Sequence, residues 1–254
     1  MRNKDRTTAI SKSIETGARW PLHHIDSRRY VQHNVNLGDG LGPLLEFFDA
    51  LPPGTSRWNR CVPSRTATSA SLTCATTSSR TATSPGSRCT AGRTGGSSST
   101  GTTCSRSRTG PTPSGRTMFD GPAEPSDLHR TDENKALAER FVRTVLIPRS
   151  IEAATGLLDG DALTQHNPHF GDGRAELARM LATTDGPGAL RHDEVHHVIG
   201  EGDFCLVISE GAAVGEHSAI FDLFRLSDGR VVEHWDVVER IPPRSEWKND
   251  NGKF

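Results

Sequence analysis

Two segments of the chain carry the same phrase of residues. Residues 30–40 read YVQHNVNLGDG and residues 163–173 read LTQHNPHFGDG, with the shared letters in the same order. His33 and His166 are 133 residues apart, and every other shared position keeps that spacing. Such a period is the length of a domain rather than of a solenoid repeat. The phrase therefore predicts a tandem pair of related domains, in which each copy helps to interpret the other.

The stretch between the two phrases has a composition that cannot build a core. From Val62 to Thr109 the only large apolar residues are Val62 and Leu72, and no acidic residue occurs between Asp49 and Asp120. Too little apolar surface is available there to offset the entropy of the chain, so we expect disorder. One alternative is a Ser/Thr/Arg linker that binds RNA or is phosphorylated.

A shift of reading frame explains this composition better than a linker does. Residues 89–105 read CTAGRTGGSSSTGTTCS. Suppose that each true codon consists of the third base of one residue's codon followed by the first two bases of the next residue's codon. The degenerate genetic code then permits the translation HRWEDGRIVEHWDNLQ. Residues 224–237 read FRLSDGRVVEHWDV, about one repeat period further on. We therefore expect the first copy to be out of frame from about residue 55 to about residue 110, and its four cysteines to be by-products of shifted codons.

Charge and hydropathy exclude several classes of function. The 30 basic and 31 acidic residues create no global field that would call for nucleic acid or an anionic membrane. No segment approaches the roughly 20 apolar residues of a membrane span, and the N-terminus has no apolar run behind its charges. A cytoplasmic protein is the expectation. Four regions are predicted: a partial first copy (1–54), a low-complexity segment (55–117), an intact domain (126–245) and a tail (246–254).

Periodicity predicts the elements of the intact domain. Apolar residues at helical spacing indicate helices, and alternating runs separated by glycine-containing turns indicate an antiparallel meander. The fold class is therefore α+β, with three helices on one face of a curved, mostly antiparallel sheet. The predicted helices are 131–146, 151–158 and 174–182, and the predicted strands are 163–167, 190–199, 204–211, 217–226 and 231–240.

Three phrases give the intact domain a family resemblance. QHNPHFGDG, GEGDFCLVISEG and FDLFRLSDGRVVEHWDVVE occur in this order. Residues 127–243, and residues 14–54 of the first copy, resemble the SnoaL-like branch of the nuclear transport factor 2-like superfamily. The resemblance implies a cone-shaped domain with a deep apolar pocket, a homodimer, and neither cofactor nor metal. It also implies an acidic residue on the last strand as acid and base of an aldol condensation, at the position of Asp236.

Alternation along the last strand sorts its polar residues onto two faces. His234 and Asp236 share one face, and Glu233 and Trp235 share the other. A buried carboxylate beside an imidazole is a workable general base, so Asp236 is the candidate for removing a proton, with His166 or His234 stabilising the enolate. The alternative is a structural hydrogen-bonded pair at a sheet edge or dimer interface.

The repeated phrase supplies further candidates for the same site. Alternation along the predicted strand places Gln165 and Asn167 on one face and His166 on the other. The resemblance favours His166 as the residue facing the pocket. Asp172 is expected to cap the helix that follows it rather than to take part in catalysis. Four residues complete the site as predicted ligand-binding groups: Gln165, Asn167, Glu210 and Trp235.

The run RHDEVHH at residues 191–197 permits a metal interpretation. His192 and His196 are too far apart along one strand to bind the same ion, unless adjacent strands supply partners. A solvated face is therefore the expectation here, and Cys205 is expected to be a small buried thiol.

Three functions remain open on the sequence. The first is a cofactor-independent enzyme that removes a proton from a small carbonyl compound and forms a carbon–carbon bond. The second is a non-catalytic ligand-binding or dimerisation module, and the third is hydrolysis of an epoxide or lactone. The fold alone does not decide among them.

Overall fold

The computed structural model of the chain describes residues 3–50, 56–58, 75–77 and 111–254. The predicted frame shift and disorder between residues 55 and 117 fall almost entirely outside these residues. The part before residue 60 holds helix α1 (Asn3–Thr16), helix α2 (Leu41–Ala50) and strand β1 (Ser56–Trp58). Strand β1 pairs with β2 (Ala75–Thr77) in a separate two-stranded sheet.

A second sheet forms the larger part of the fold. It contains a short β3 (Thr164–Gln165) and four long strands: β4 (Leu190–Glu201), β5 (Phe204–Ala213), β6 (Glu216–Ser227) and β7 (Arg230–Arg240). Their order is β3-β7-β6-β5-β4, and only the β3–β7 pair is parallel. The predicted meander is confirmed, and glycine at positive φ, such as Gly202 and Gly229, closes its tight turns.

Two α-helices and a short 3₁₀ turn accompany the sheet. Helix α3 (Thr131–Phe141) continues into a π-helical turn (Val142–Leu146), and α4 spans Arg174–Ala182 as predicted. The helix predicted for 151–158 is wrong, because only Glu152–Ala154 form a 3₁₀ turn. Thr155 is extended and Gly156 has a φ of 78°, so the chain leaves the helical conformation at that point. The domain is α+β, as the periodicity predicted.

The main core lies between these helices and one face of the large sheet. Phe141 of α3 meets Phe224 of β6 edge to face, with ring centroids 5.4 Å apart. We call this the inner face of the sheet. Other side chains of the same buried cluster come from α4 and from the segment before β3, and include Leu157, Leu163, Phe170, Leu177, Met180 and Val207.

The opposite, outer face is covered by two other segments of the chain. Residues 112–121 lie beside β7, where Trp235 Nε1 donates to the carbonyl of Asp120 over 3.0 Å. The C-terminal segment crosses the other strands, with Lys253 paired to Glu239 and the ring of Phe254 stacked on His196. Apolar residues of the outer face are buried as a result, namely Phe204, Leu206 and Ile208.

The two copies of the repeated phrase have the same local hydrogen bonds. The backbone N–H of Gln32 donates to Asp39, and the N–H of Gln165 donates to Asp172. Asp172 therefore does not cap α4, contrary to the prediction, because its carboxylate holds the start of β3 and pairs with Arg116. Gly173 is the N-cap residue of α4 and provides no side-chain cap.

The first phrase docks on the C-terminal segment. Asn249 donates to the carbonyls of Asn34 and Leu37, and Asn251 donates to the carbonyl of Gln32. Among the described residues, no helix is long and apolar enough to cross a bilayer.

Candidate active site

A row of polar side chains lies on the inner face of β6 and β7, within the apolar core. Asp222 of β6 is in direct register with Asp236 of β7, and His234 precedes Asp236 by one step of the pleat. All three are buried. The predicted shared face of His234 and Asp236 is confirmed. Three titratable groups in one apolar layer require hydrogen-bond partners, and the partners differ from one group to the next.

Asp222 joins two histidines. Its Oδ2 lies 2.9 Å from Nε2 of His192, and its Oδ1 lies 3.0 Å from Nε2 of His234. Burial alone would raise the pKa of Asp222, but the charges and hydrogen bonds of the two imidazoles outweigh it and hold that pKa well below its ordinary value. Asp222 is therefore an ionised, fully partnered carboxylate inside the core.

Gln165 fixes the orientation of the His234 ring. Its Oε1 accepts the backbone N–H groups of His166 and Asn167, at 3.0 and 3.1 Å. Nδ1 of His234 lies 3.1 Å from both Oε1 and Nε2 of the same amide group. Nε2 of His234 lies 3.0 Å from Oδ1 of Asp222, so both of its ring nitrogens are engaged.

Asp236 has a different environment from Asp222. Its Oδ2 accepts the side-chain amide of Asn167 over 2.6 Å. Its Oδ1 is buried and has no hydrogen-bond partner among the described residues. Burial raises the pKa of Asp236, the charge of His234 opposes this, and the charge of Asp222 adds to the rise. A raised pKa makes the carboxyl group a better proton acceptor than an ordinary aspartate, as a general base requires.

A second buried group on the inner face also has an atom without a hydrogen-bond partner among the described residues. Ser209 of β5 is fully buried, and its Oγ has no partner among the described residues. The register places Ser209 opposite Ile220 of β6, so it lies two strands from Asp236 and one pleat step further along the sheet. An unpaired hydroxyl and an unpaired carboxylate oxygen on one buried face are what a bound polar ligand would satisfy.

The structure places His166 on the outer face, away from Asp236. Its Nε2 lies 2.8 Å from Oε1 of Glu233, and its ring stacks on Trp235 at 4.5 Å. The parallel register pairs Gln165 with His234, so Gln165 and Asn167 point inward and the residue between them points outward. The expectation that His166 faces the pocket is therefore corrected, and Trp235 likewise lies outside the inner-face row.

Glu210 is also outside this site, contrary to the predicted inward orientation. It is part-exposed and bonds to His196 and His217, with its carboxylate oxygens 3.0 and 2.7 Å from their Nε2 atoms. Its register partner Ala219 belongs to the outer face of β6.

Sequence reasoning missed His192 and Asp222. Strict alternation along β4 places His192 on one face with Glu194 and His196, whereas the pairing of β4 with β5 shifts after His192 and again after Val195. A Cβ at Gly211, opposite His192, would meet the carbonyl oxygen of Arg191 at 1.9 Å, so this close approach requires glycine. The signal for Asp222 was a lone acid within the apolar run FDLF.

Cys205 is buried as expected. Burial raises the pKa of its thiol to about 12, which leaves it protonated and unsuited to nucleophilic chemistry.

Comparison with known proteins gives similarity at the level of structure. No protein-family model matches the chain, and no curated protein matches it. Among solved structures, one from Mesorhizobium loti is an NTF2-like protein of unknown function, 22% identical, covering 46% of this chain and 97% of its own, with a TM-score of 0.35. The chain resembles NTF2-like proteins.

Two other structural neighbours carry functional descriptions. A candidate ketosteroid isomerase from Kribbella flavida is 23% identical, covers 45% of this chain and 84% of its own, and has a TM-score of 0.36. A candidate polyketide cyclase from Streptomyces antibioticus is 16% identical, covers 42% of this chain and 91% of its own, and has a TM-score of 0.32. At these values the likeness concerns the fold, and the chemistry has to be derived from this chain's own residues.

Proposed function

We propose that the chain is a cofactor-independent enzyme that moves a proton on a small carbonyl compound bound at the inner face of the sheet, with Asp236 as the general base. The observation that carries the proposal is the buried, unpartnered Oδ1 of Asp236. A carboxylate with a purely structural role would have both oxygens satisfied, as Asp222 does in the facing position of the next strand.

We assign a role in this reaction to the groups around Asp236. Oδ1 of Asp236 takes a proton from the carbon next to the carbonyl, and the electrons of that C–H bond move onto the carbonyl oxygen to give an enolate. Asn167 keeps Oδ2 in place through its 2.6 Å hydrogen bond, so Oδ1 remains the reactive oxygen. The enolate then takes the proton back from Asp236 at another carbon. Alternatively, its carbon attacks a second carbonyl in an aldol step, and the alkoxide so formed takes the proton from Asp236.

Stabilisation of the enolate is assigned to Ser209 rather than to His166 or His234. His166 lies on the other face of the sheet, and both ring nitrogens of His234 are already bonded, to Gln165 and Asp222. The hydroxyl of Ser209 is buried and unpartnered among the described residues, so it has a proton to donate.

Isotope exchange tests this proposal without knowledge of the natural substrate. The full chain is incubated in D₂O with cyclohexanone, 2-tetralone and 3-hydroxybutanone, and loss of the α-protons is followed by proton NMR. We expect the native chain to accelerate exchange of at least one probe and Asp236→Asn to lose about 100-fold or more of that acceleration. Asp228→Asn, in the exposed β6–β7 turn, is the matched control and should keep the native rate. Equal rates for the native chain and Asp236→Asn would contradict the role of Asp236.

A further inference from the structure

A second cluster of chemically active side chains lies on the outer face, away from Asp236. Three neighbouring strands contribute to it: Glu194 and His196 from β4, Glu210 from β5 and His217 from β6. One ligand atom each from Glu194, His196 and Glu210 lies within 4.8 Å of the others. Glu210 also bonds to His217 over 2.7 Å. The strand pattern had predicted a solvated face here, with no metal site.

The shifts in pairing along β4 explain why the sequence did not reveal this cluster. They occur between His192 and Glu194 and between Val195 and His197. Period-two alternation is lost there, and both Glu194 and His196 approach Glu210 of the adjacent strand. Adjacent strands thus supply the partners that a single strand cannot supply.

The register of the two glutamates is unfavourable without a cation. Glu194 pairs directly with Glu210 across β4 and β5. Like charges directly opposite each other in an antiparallel pair are destabilising. A divalent cation bound between the two carboxylates would offset this repulsion.

We propose that Glu194, His196 and Glu210, with His217 as a fourth ligand, bind a divalent transition metal of the zinc type. Imidazole nitrogen and carboxylate oxygen are the donors that Zn²⁺ takes in proteins, with bonds of about 2.0–2.2 Å. His196 Nε2 and Glu210 Oε2 are 3.0 Å apart, close to the separation of about 3.4 Å between neighbouring tetrahedral ligands at those bond lengths. Glu194 is exposed and its ligand atom already lies within 4.8 Å of those of His196 and Glu210. His217, which bonds to the other oxygen of Glu210, has to move towards the group of three.

Two surrounding features support a built site. The ring of Phe254 stacks on His196 at 3.9 Å and 8° between planes, which restricts the orientation of that imidazole. A groove of about 450 Å³ between α3 and β4 has His196 in its wall, together with Lys135, Glu139 and Arg143. The His196 side chain stays partly open to solvent at 23% exposure.

Metal titration of the full chain tests the proposal. Zn²⁺ is added in competition with a chromophoric chelator at pH 7.5, and Co²⁺ is added separately so that its visible absorption reports the coordination geometry. We expect one equivalent to bind, with affinity reduced by about 10-fold or more in His196→Gln and in Glu210→Gln. His217→Gln should change the Co²⁺ spectrum. Glu152→Gln and His129→Gln, in parts of the chain outside the cluster, are the controls and should bind as the native chain does.

Two outcomes would overturn the site. One is the absence of Zn²⁺ binding to the native chain. The other is binding that persists in His196→Gln and Glu210→Gln but disappears in the double variant His23→Gln, His24→Gln, whose adjacent rings lie 4.1 Å apart. Circular dichroism of each variant separates loss of a ligand from loss of fold. Because the cluster lies on the outer face, its failure would leave the role of Asp236 untouched.

Discussion

Asp222 and Asp236 lie directly opposite each other on β6 and β7, and their carboxyl groups have opposite environments. Asp222 accepts hydrogen bonds from two imidazoles, which lower its pKa against the effect of burial. Asp236 accepts one from an amide, keeps one oxygen unpartnered among the described residues, and has its pKa raised by burial. The first arrangement stabilises a fixed charge, and the second leaves a group able to gain and lose a proton.

The same substitution at these two positions should have opposite effects on stability. Asp222→Asn removes the charge shared by His192 and His234, and should lower the free energy of unfolding by about 3 kcal/mol. Asp236→Asn removes a poorly solvated carboxylate, and should leave that free energy unchanged or raise it by about 1 kcal/mol. Urea unfolding at pH 7 followed by far-ultraviolet circular dichroism measures both. A loss in Asp236→Asn as large as that in Asp222→Asn would assign Asp236 a structural role.

Acid should destabilise the domain through two buried carboxylates. The pKa values of Asp222 and Glu233 are lower in the folded chain than their ordinary values, because histidine partners, and Arg225 for Glu233, outweigh burial. Their contribution is complete above the ordinary values of about 4 and is lost as the pH falls through the lower, folded values. Urea midpoints measured from pH 7 to pH 2 should therefore fall steeply below about pH 4. A flat profile would contradict the buried pairs.

The raised pKa of Asp236 predicts a pH dependence of the opposite sign. The unfolded chain releases this proton first, so the contribution of Asp236 to stability decreases as the pH rises from about 4 to its folded value. The difference in unfolding free energy between Asp236→Asn and the native chain should grow over that interval and then level off. A difference that does not change with pH would show an unshifted carboxyl group.

His166 should act on the outer face rather than in catalysis. Its ring nitrogens face Glu233 and the carbonyl of Thr117, so it ties residues 112–121 to β7. His166→Asn should increase amide exchange of residues 112–121, measured by mass spectrometry, and leave proton transfer by Asp236 unchanged. His129→Asn, at an exposed histidine before α3, is the control. Loss of proton transfer in His166→Asn with unchanged exchange of that segment would restore the catalytic role predicted from the resemblance.

The C-terminal segment should hold the first copy of the repeated phrase. Asn249→Ala and Asn251→Ala each remove hydrogen bonds to the backbone of residues 32–37. Each should increase amide exchange across residues 20–50. Asp250→Ala, between them, removes a bond to Arg244 and no other side-chain bond to the described residues, and is the matched control. Strong and uniform protection of residues 20–50 in both asparagine variants would show that other contacts hold this region.

Periodicity was sufficient to predict most of the fold. Glycine-containing turns and alternating apolar runs identified β4 to β7, and α4 was predicted with the bounds that the structure has. The segment 151–158 failed because its apolar spacing is helical, while Thr155 and Gly156 take conformations that end the turn. The local spacing of apolar residues does not show where the helical turn ends.

The site was less accessible to sequence reasoning, because its contacts cross the sheet. Alternation within β7 predicts that Asp236 and His234 share a face. The face on which His166 lies depends instead on the parallel register of β3 with β7. His192 depended on shifts in pairing along β4, and Asp222 on its neighbour in the next strand. These contacts are made between strands, so the alternation of residues along a single strand does not predict them.

The protonation of Asp236 and Asp222 can be measured in one experiment. The full chain is labelled with ¹³C at the aspartate carboxyl carbons, the two resonances are assigned with Asp236→Asn and Asp222→Asn, and both are followed from pH 2 to pH 9. Asp236 should titrate above the ordinary aspartate value of about 3.9 and Asp222 below it. An Asp236 resonance that titrates at or below that value would contradict its assignment as the proton-transferring group.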